Sequence, residues 1–184
     1  REMYSSIIYL EPFEGRNLRA FGYDMYTEPV RRAAMSRARD LNEASLSGRV
    51  ELVQELDTGV QAGTLLYVPV YQTNQAIDTT EQRRAALIGW VYSPFRMSDL
   101  MAGLIGDWTR VDMSSLGLRI YDGPEKSPDM LLFASMGVAT DAGYEGRQLS
   151  RVLAIHGREW LLEFEQPTTN PDVNYQQAWR TLVA

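Results

Sequence analysis

Two apolar runs of strand length, GTLLYVPVY (Gly63 to Tyr71) and the ALIGWVY of RRAALIGWVYSPF (Arg83 to Phe95), sit close together between two helical stretches. Runs this apolar must be covered, so the chain is constrained to a sheet with helices packed against it. Pro69 lies inside the first run and implies an edge or a bulge, because proline cannot donate to a ladder. The second run reads as a strand over Ala86 to Tyr92, ended by Ser93 and Pro94. Between the runs, QTNQAIDTTEQRR is too long for a tight hairpin and has no apolar period, so a mobile loop is predicted over 72–84.

The helical stretch before these runs is GYDMYTEPVRRAAMSRARD. Thr27 is the expected N-cap, with Glu28 in the first turn and Pro29 where a missing amide proton does little harm. Val30, Ala33, Ala34, Ala38 and Leu41 recur at offsets 3, 4, 8 and 11 and form one apolar stripe. At about 100° per residue, Arg32 and Arg39 point away from that stripe, Arg31 sits at its edge and Arg37 falls within it. An edge arginine either reaches into a neighbouring pocket or lays its stem over apolar surface in a solvated face, and both readings stand for Arg31.

A short strand is predicted at Ser6 to Leu10 and another, imperfectly alternating, over Leu46 to Leu56. A second helix follows in RMSDLMAGLIG, with Ser98 at its start. From Ser115 the pattern restarts, with strands at Leu116 to Tyr121, Met130 to Ser135, Ser150 to Ile155 and Glu159 to Phe164. A Gly-rich loop over Gly137 to Gly146 interrupts them, and Gly157 turns the last hairpin. Helices set among non-local antiparallel strands make an α+β architecture, with the seam between its halves around Met97 to Gly106.

The 184 residues suffice for one sizeable domain or two small lobes. The absence of cysteine removes thiolate catalysis, Cys-based zinc sites and disulfides, and a net charge of −6 argues against a duplex nucleic-acid partner. No apolar run reaches the roughly 18 residues of a membrane span, and REMYSSII lacks the layout of a signal peptide. His156 is the sole histidine and has no nucleophile motif beside it, so a structural role is expected. The chain carries no GxSxG elbow, P-loop, HExxH or EF-hand spacing, so no catalytic residue, metal ligand or cofactor is assigned.

The pieces YLEPFEGRNLRAFGYD, TEPVRRAAMSRARD, LLYVPVY and GWVYSPFRMSDLM, with weaker echoes at LRIYDG and HGREW, occur in this order over most of the chain. Their order and spacing resembles the CHASE domain, the extracytoplasmic sensory module of bacterial and plant transmembrane receptors. The resemblance implies PAS-like antiparallel sheets in two lobes with helices packed on the sheet faces. It implies a membrane-distal ligand-binding lobe over 1–106, a membrane-proximal lobe over 107–166 and a juxtamembrane tail over 167–184. It further implies an excised periplasmic piece of a bacterial inner-membrane receptor, flanked by membrane spans and homodimeric at full length. Such a receptor's output would be a diguanylate cyclase, a phosphodiesterase or a histidine kinase, the sensor itself being non-catalytic.

Tyr67, Trp90 and Tyr92 are large amphipathic side chains on neighbouring strands, suited either to a pocket wall or to plain core packing. In the plant cytokinin receptors of this family an acidic side chain meets the adenine ring. The resemblance places Arg31 at that position, Ser47 and Val53 on the next strand, Leu65 on the strand LLYVPVY, and Tyr67 where a smaller polar residue closes the far end. A guanidinium offers donors only, so the expected ligand is a small anion or an aromatic acid rather than a cytokinin. The rival reading is a ligand-free protein-interaction or dimerisation module, and an α+β enzyme would need a carboxylate and His156 to converge.

Overall fold

The computed structural model describes residues 3–51, 62–105, 116–135 and 146–167. The chain divides into two compact units, Arg1–Met97 with Ile155–Arg158, and Ser98–Ala154 with Glu159–Ala184.

In the first unit, helix α1 (Pro29–Leu41) is capped one residue later than expected. The Glu28 carboxylate accepts from the amides of Val30 and Arg31 at 3.0 and 2.8 Å, while the Thr27 hydroxyl donates instead to the Asp24 carbonyl. The helix ends on Asn42, whose left-handed backbone (φ 56°) suits asparagine. Its buried face is Arg31, Ala34, Met35, Ala38 and Arg39, rotated by about one residue from the predicted stripe. Val30 and Leu41 stay exposed. Two arginines can occupy the inner face because each finds a polar partner there, which removes the penalty of burying an unpaired charge.

The sheet against this helix is antiparallel. Strand β1 (Ser45–Leu46) and strand β2 (Val50–Glu51) both pair with β3 (Ala62–Tyr71), and β4 (Leu87–Arg96) also pairs with β3. Because β4 covers β3 from Gly63 to Tyr71, β1 and β2 follow one another along the other edge. Only β4 accompanies β3 at Pro69, so proline's missing donor leaves no ladder bond unmade, and the register shifts at Val70/Tyr71. Strand β4 runs on through Ser93 and Pro94, beyond the end read from the sequence, with Pro94 opposite Leu65.

Sheet and helix are joined by specific bonds as well as by packing. The Trp90 indole donates to the Met35 carbonyl at 2.9 Å, and the Tyr71 hydroxyl donates to the Arg39 carbonyl at 2.5 Å. Ile7, Met25, Met35, Val50, Leu65 and Tyr67 belong to the resulting core. The stretch predicted as a mobile loop holds helix α2 (Thr80–Ala86), which Thr79 and Gln82 start with a reciprocal capping box. Arg83 and Arg84 then tie this helix to Asp40 at the end of α1. Residues 6–10, read as a strand, make only an isolated bridge, from Ser6 to Asp24. Of the strand predicted over Leu46 to Leu56, two short pieces form, and 52–56 lies outside the described residues.

The second unit opens with helix α3 from Ser98 onward (Met97–Ile105 in full). Its antiparallel sheet has the order β6-β5-β8-β7, built from β5 (Gly117–Asp122), β6 (Leu131–Ala134), β7 (Gly146–Ile155) and β8 (Arg158–Pro167). Every residue of β5 is buried, and Leu118, Ile120, Leu162 and Phe164 form its apolar interior. Arg119 and Glu165 make a buried ion pair across β5 and β8. His156 and Gly157 turn the β7–β8 hairpin with φ of 43° and 81°, the signature of a two-residue type I′ turn. Its tip, counted with the first unit, meets β1 through Leu46, whose amide donates to the His156 carbonyl at 2.9 Å. The fold is α+β, with two antiparallel four-stranded sheets.

Candidate functional site

The first unit encloses a cavity of about 360 Å3, within the roughly 300–1,000 Å3 usual for small-molecule sites. Its walls come from three places. Residues 5–11 form one side, Met25 and Met35 another, and the strand aromatics Tyr67, Trp90 and Tyr92 the third. Tyr67 and Tyr92 stand opposite each other in the β3–β4 register, which forces both side chains onto the same face. Their ring centroids are 5.9 Å apart. Trp90 lies one pleat along β4 and is held by the Met35 carbonyl and by Tyr26, whose ring stacks on it at 6.0 Å. Tyr26 is in turn fixed by Ser36, at 2.6 Å between hydroxyls. The aromatic wall is therefore preorganised by α1.

Residues 5–11 are held at their start by main-chain bonds. Ser5 accepts from the Met25 amide at 2.8 Å, and Ile7 exchanges bonds with Tyr23 and Gly22 at 3.1 and 2.9 Å. Ile8 and Tyr9 also line the cavity, yet 83% and 75% of their surface is exposed, so the apolar rim stands open to water.

Tyr67 is 1% exposed, and its hydroxyl has no hydrogen-bond partner among the described residues. Burial pushes its phenol well above the usual tyrosine range, and Arg31 pulls against that rise. Tyr92 is raised for the same reason and opposed by the same guanidinium. Arg31 itself is buried. It donates to the Glu51 carbonyl at 2.9 Å and to the Met25 sulfur at 3.3 Å, and its guanidinium lies 5.3 Å above the Tyr23 ring.

The residues singled out from the sequence thus part company. Tyr67, Trp90 and Tyr92 meet on the cavity wall, whereas Arg31 stands behind Met25. Ser47 is spent on the sheet: its amide donates to the Leu65 carbonyl at 2.8 Å, and its hydroxyl accepts from the Leu65 amide at 2.9 Å. Leu65 is a core residue at 2% exposure, and Val53 lies outside the described residues. Sequence reasoning missed residues 5–11, Met25 and Met35 as lining. Met35 was legible had the helical stripe been set one residue further round. Nothing in the pattern of residues 5–11 shows that they fold back over the sheet.

Chemically, the lining offers aromatic faces, two thioethers, one orphaned phenol, the serine hydroxyls of Ser5 and Ser6, the Asn17 amide and one carboxylate, Glu11, which accepts from the Tyr9 hydroxyl at 3.3 Å. That set suits binding. His156 sits at the exposed hairpin turn rather than on this lining. No group of three or more His, Asp or Glu side chains among the described residues could hold a metal ion, and no described helix is long and apolar enough to cross a membrane.

The family model of the CHASE domain matches residues 1–133, which takes in β1 to β5, all but the last residue of β6, and the cavity. The chain is also similar to the hybrid signal transduction histidine kinase A of Dictyostelium discoideum, at 23% identity over 179 residues, 86% of this chain. It spans 8% of that protein's length. CHASE domains are extracellular sensory modules of membrane receptors. With the match extending over well more than half of its length, the chain belongs to the CHASE domain family.

Proposed function

We propose that the chain is the periplasmic ligand-binding sensor of a bacterial transmembrane receptor, taking a small molecule into the first unit and passing a conformational change across the membrane. The observation that carries this reading is that Tyr67, a lining residue of a cavity of ligand size, has a hydroxyl that is buried and unpartnered. A buried hydroxyl left unpaired costs about 1–3 kcal/mol, and a bound acceptor recovers it. The first unit is the membrane-distal lobe in this reading, and the second the membrane-proximal one. Residues 5–11 serve as the cover, since they supply a whole cavity wall and carry the exposed Ile8 and Tyr9. Helix α2, within the stretch predicted as a mobile loop, is a poorer candidate for a cover, being tied to Asp40 through Arg83 and Arg84.

A ligand shifts such an equilibrium only by its unequal affinity for two states, so closure of residues 5–11 is the natural source of that difference. The output is a histidine kinase, a diguanylate cyclase or a phosphodiesterase, and the full receptor works as a homodimer. A protein-interaction module without ligand is the rival. Native mass spectrometry of the purified domain separates them. A small molecule retained by the wild-type chain and lost from Trp90→Ala supports the sensor; no retained mass, with no thermal shift across a metabolite panel, favours the rival.

A further inference from the structure

We propose that the cavity selects an aromatic monocarboxylic acid, its ring against Trp90 and Tyr92 and its carboxylate turned inward to the Tyr67 hydroxyl, a proposal that rests on the ligand-binding role above. The phenol supplies the anchor. Tyr67 lines the cavity, is 1% exposed and has an unsatisfied hydroxyl, so any acceptor brought to it gains a bond that water does not provide there.

Arg31 decides the charge of that acceptor. Its side chain is 4% exposed, and while burial is what raises the Tyr67 phenol most, Arg31 is the charge that opposes that rise most strongly. It acts on Tyr92 in the same sense. Among the described residues Glu28 is the carboxylate paired with Arg31, 4.0 Å from its Nε, but its side chain is 31% exposed and is engaged with the α1 amides. Water therefore screens Glu28 more than it screens Arg31, in keeping with the stronger pull of Arg31 on the Tyr67 phenol. Because the Arg31 amino groups are already held by Glu51 and Met25, the cation acts on a ligand through space, from behind Met25.

The rest of the lining sets shape and number of charges. Trp90, Tyr92 and the thioethers of Met25 and Met35 offer faces to a flat ring. Glu11 is the one formally charged residue on the lining among the described residues, and it is exposed. A second negative charge at that end meets repulsion, which disfavours dicarboxylates and nucleotides.

The test is calorimetric titration of the intact domain with 3-phenylpropionate, 3-phenylpropionamide and 3-phenylpropylamine. The acid is expected to bind at least about tenfold more tightly than the amide, with the amine weakest. Tyr67→Phe should weaken the acid about tenfold while the protein stays folded. Arg31→Met should bring the acid down to the level of the amide, and Arg31→Gln, which also removes the charge, serves if the methionine variant does not fold. Equal binding of acid and amide, preference for the amine, or full acid affinity in Tyr67→Phe overturns the proposal and leaves the sensor role standing. Where none of the three binds, a molecule retained in the native mass spectrum decides: an aromatic monocarboxylic acid supports the proposal and any other compound overturns it. No uptake and no retained molecule removes both.

Discussion

The indole Nε1–H of Trp90 donates to the main-chain carbonyl of Met35 at 2.9 Å, so the aromatic wall of β4 is bolted to the middle of α1. The bond spans 55 positions of sequence and couples two of the elements that line the cavity. Trp90→Phe removes the donor and part of the stack on Tyr26. The variant should lose about 1–2 kcal/mol of stability in urea unfolding. An unchanged midpoint means that α1 and β4 are held by other contacts.

Tyr67→Phe should behave in the opposite sense. The hydroxyl it deletes has no partner, so the ligand-free domain is expected to keep its stability or to gain up to about 1 kcal/mol. A clear loss of stability in chemical denaturation shows that the hydroxyl is satisfied in solution, and with it goes the argument for a ligand acceptor.

Asp40 ties the end of α1 to α2. Hydrogen bonding from Arg84, then from Arg39, holds its carboxyl well below the ordinary aspartate value of 3.8. A carboxyl whose folded-state pKa is depressed contributes stability that is fully present above the unfolded value and is lost as pH falls through the folded one. Asp40→Asn should therefore cost about 1 kcal/mol at pH 7, the range for a partly exposed bidentate pair, and the gap from wild type should close as pH falls below 3.8. A gap that stays constant to pH 2 rules out charge as its cause.

Gly157 adopts φ 81°, and a Cβ built on it falls 2.0 Å from Arg37 Nε. Gly157→Ala should cost about 1–2 kcal/mol through the left-handed backbone alone, with a further loss while the arginine is displaced. Adding Arg37→Ala should recover only the second part. Melting temperatures of the single and double variants give both terms, and full recovery in the double variant contradicts the backbone argument.

The strands around Tyr67, Trp90 and Tyr92 were readable because a continuous apolar run has few alternatives, and Pro69 marked the place where a second neighbour is missing. Helix α1 was readable as an element but not in its orientation. Counting apolar residues put Val30 and Leu41 inside, whereas Arg31 and Arg39 are buried and those two are exposed. Periodicity weighs hydrophobicity alone and is blind to the Glu51 and Asp40 oxygens that make a buried guanidinium tolerable. Helix α2 escaped notice although its Thr79 and Gln82 have the spacing of a capping box, because seven residues carry too little apolar period to register.

By itself the sequence settled the family, the α+β class and that Tyr67, Trp90 and Tyr92 lie on neighbouring strands, since these follow from local order and from the length of the apolar runs, whereas the β3–β4 register put Tyr67 and Tyr92 on one face. Tertiary structure decided that residues 5–11 fold back to close a hollow, that Ser47 is consumed by the sheet and that Arg31 works from behind the wall. Each of those outcomes depends on partners distant in the chain, and the energy of a buried polar group is set by what surrounds it in space.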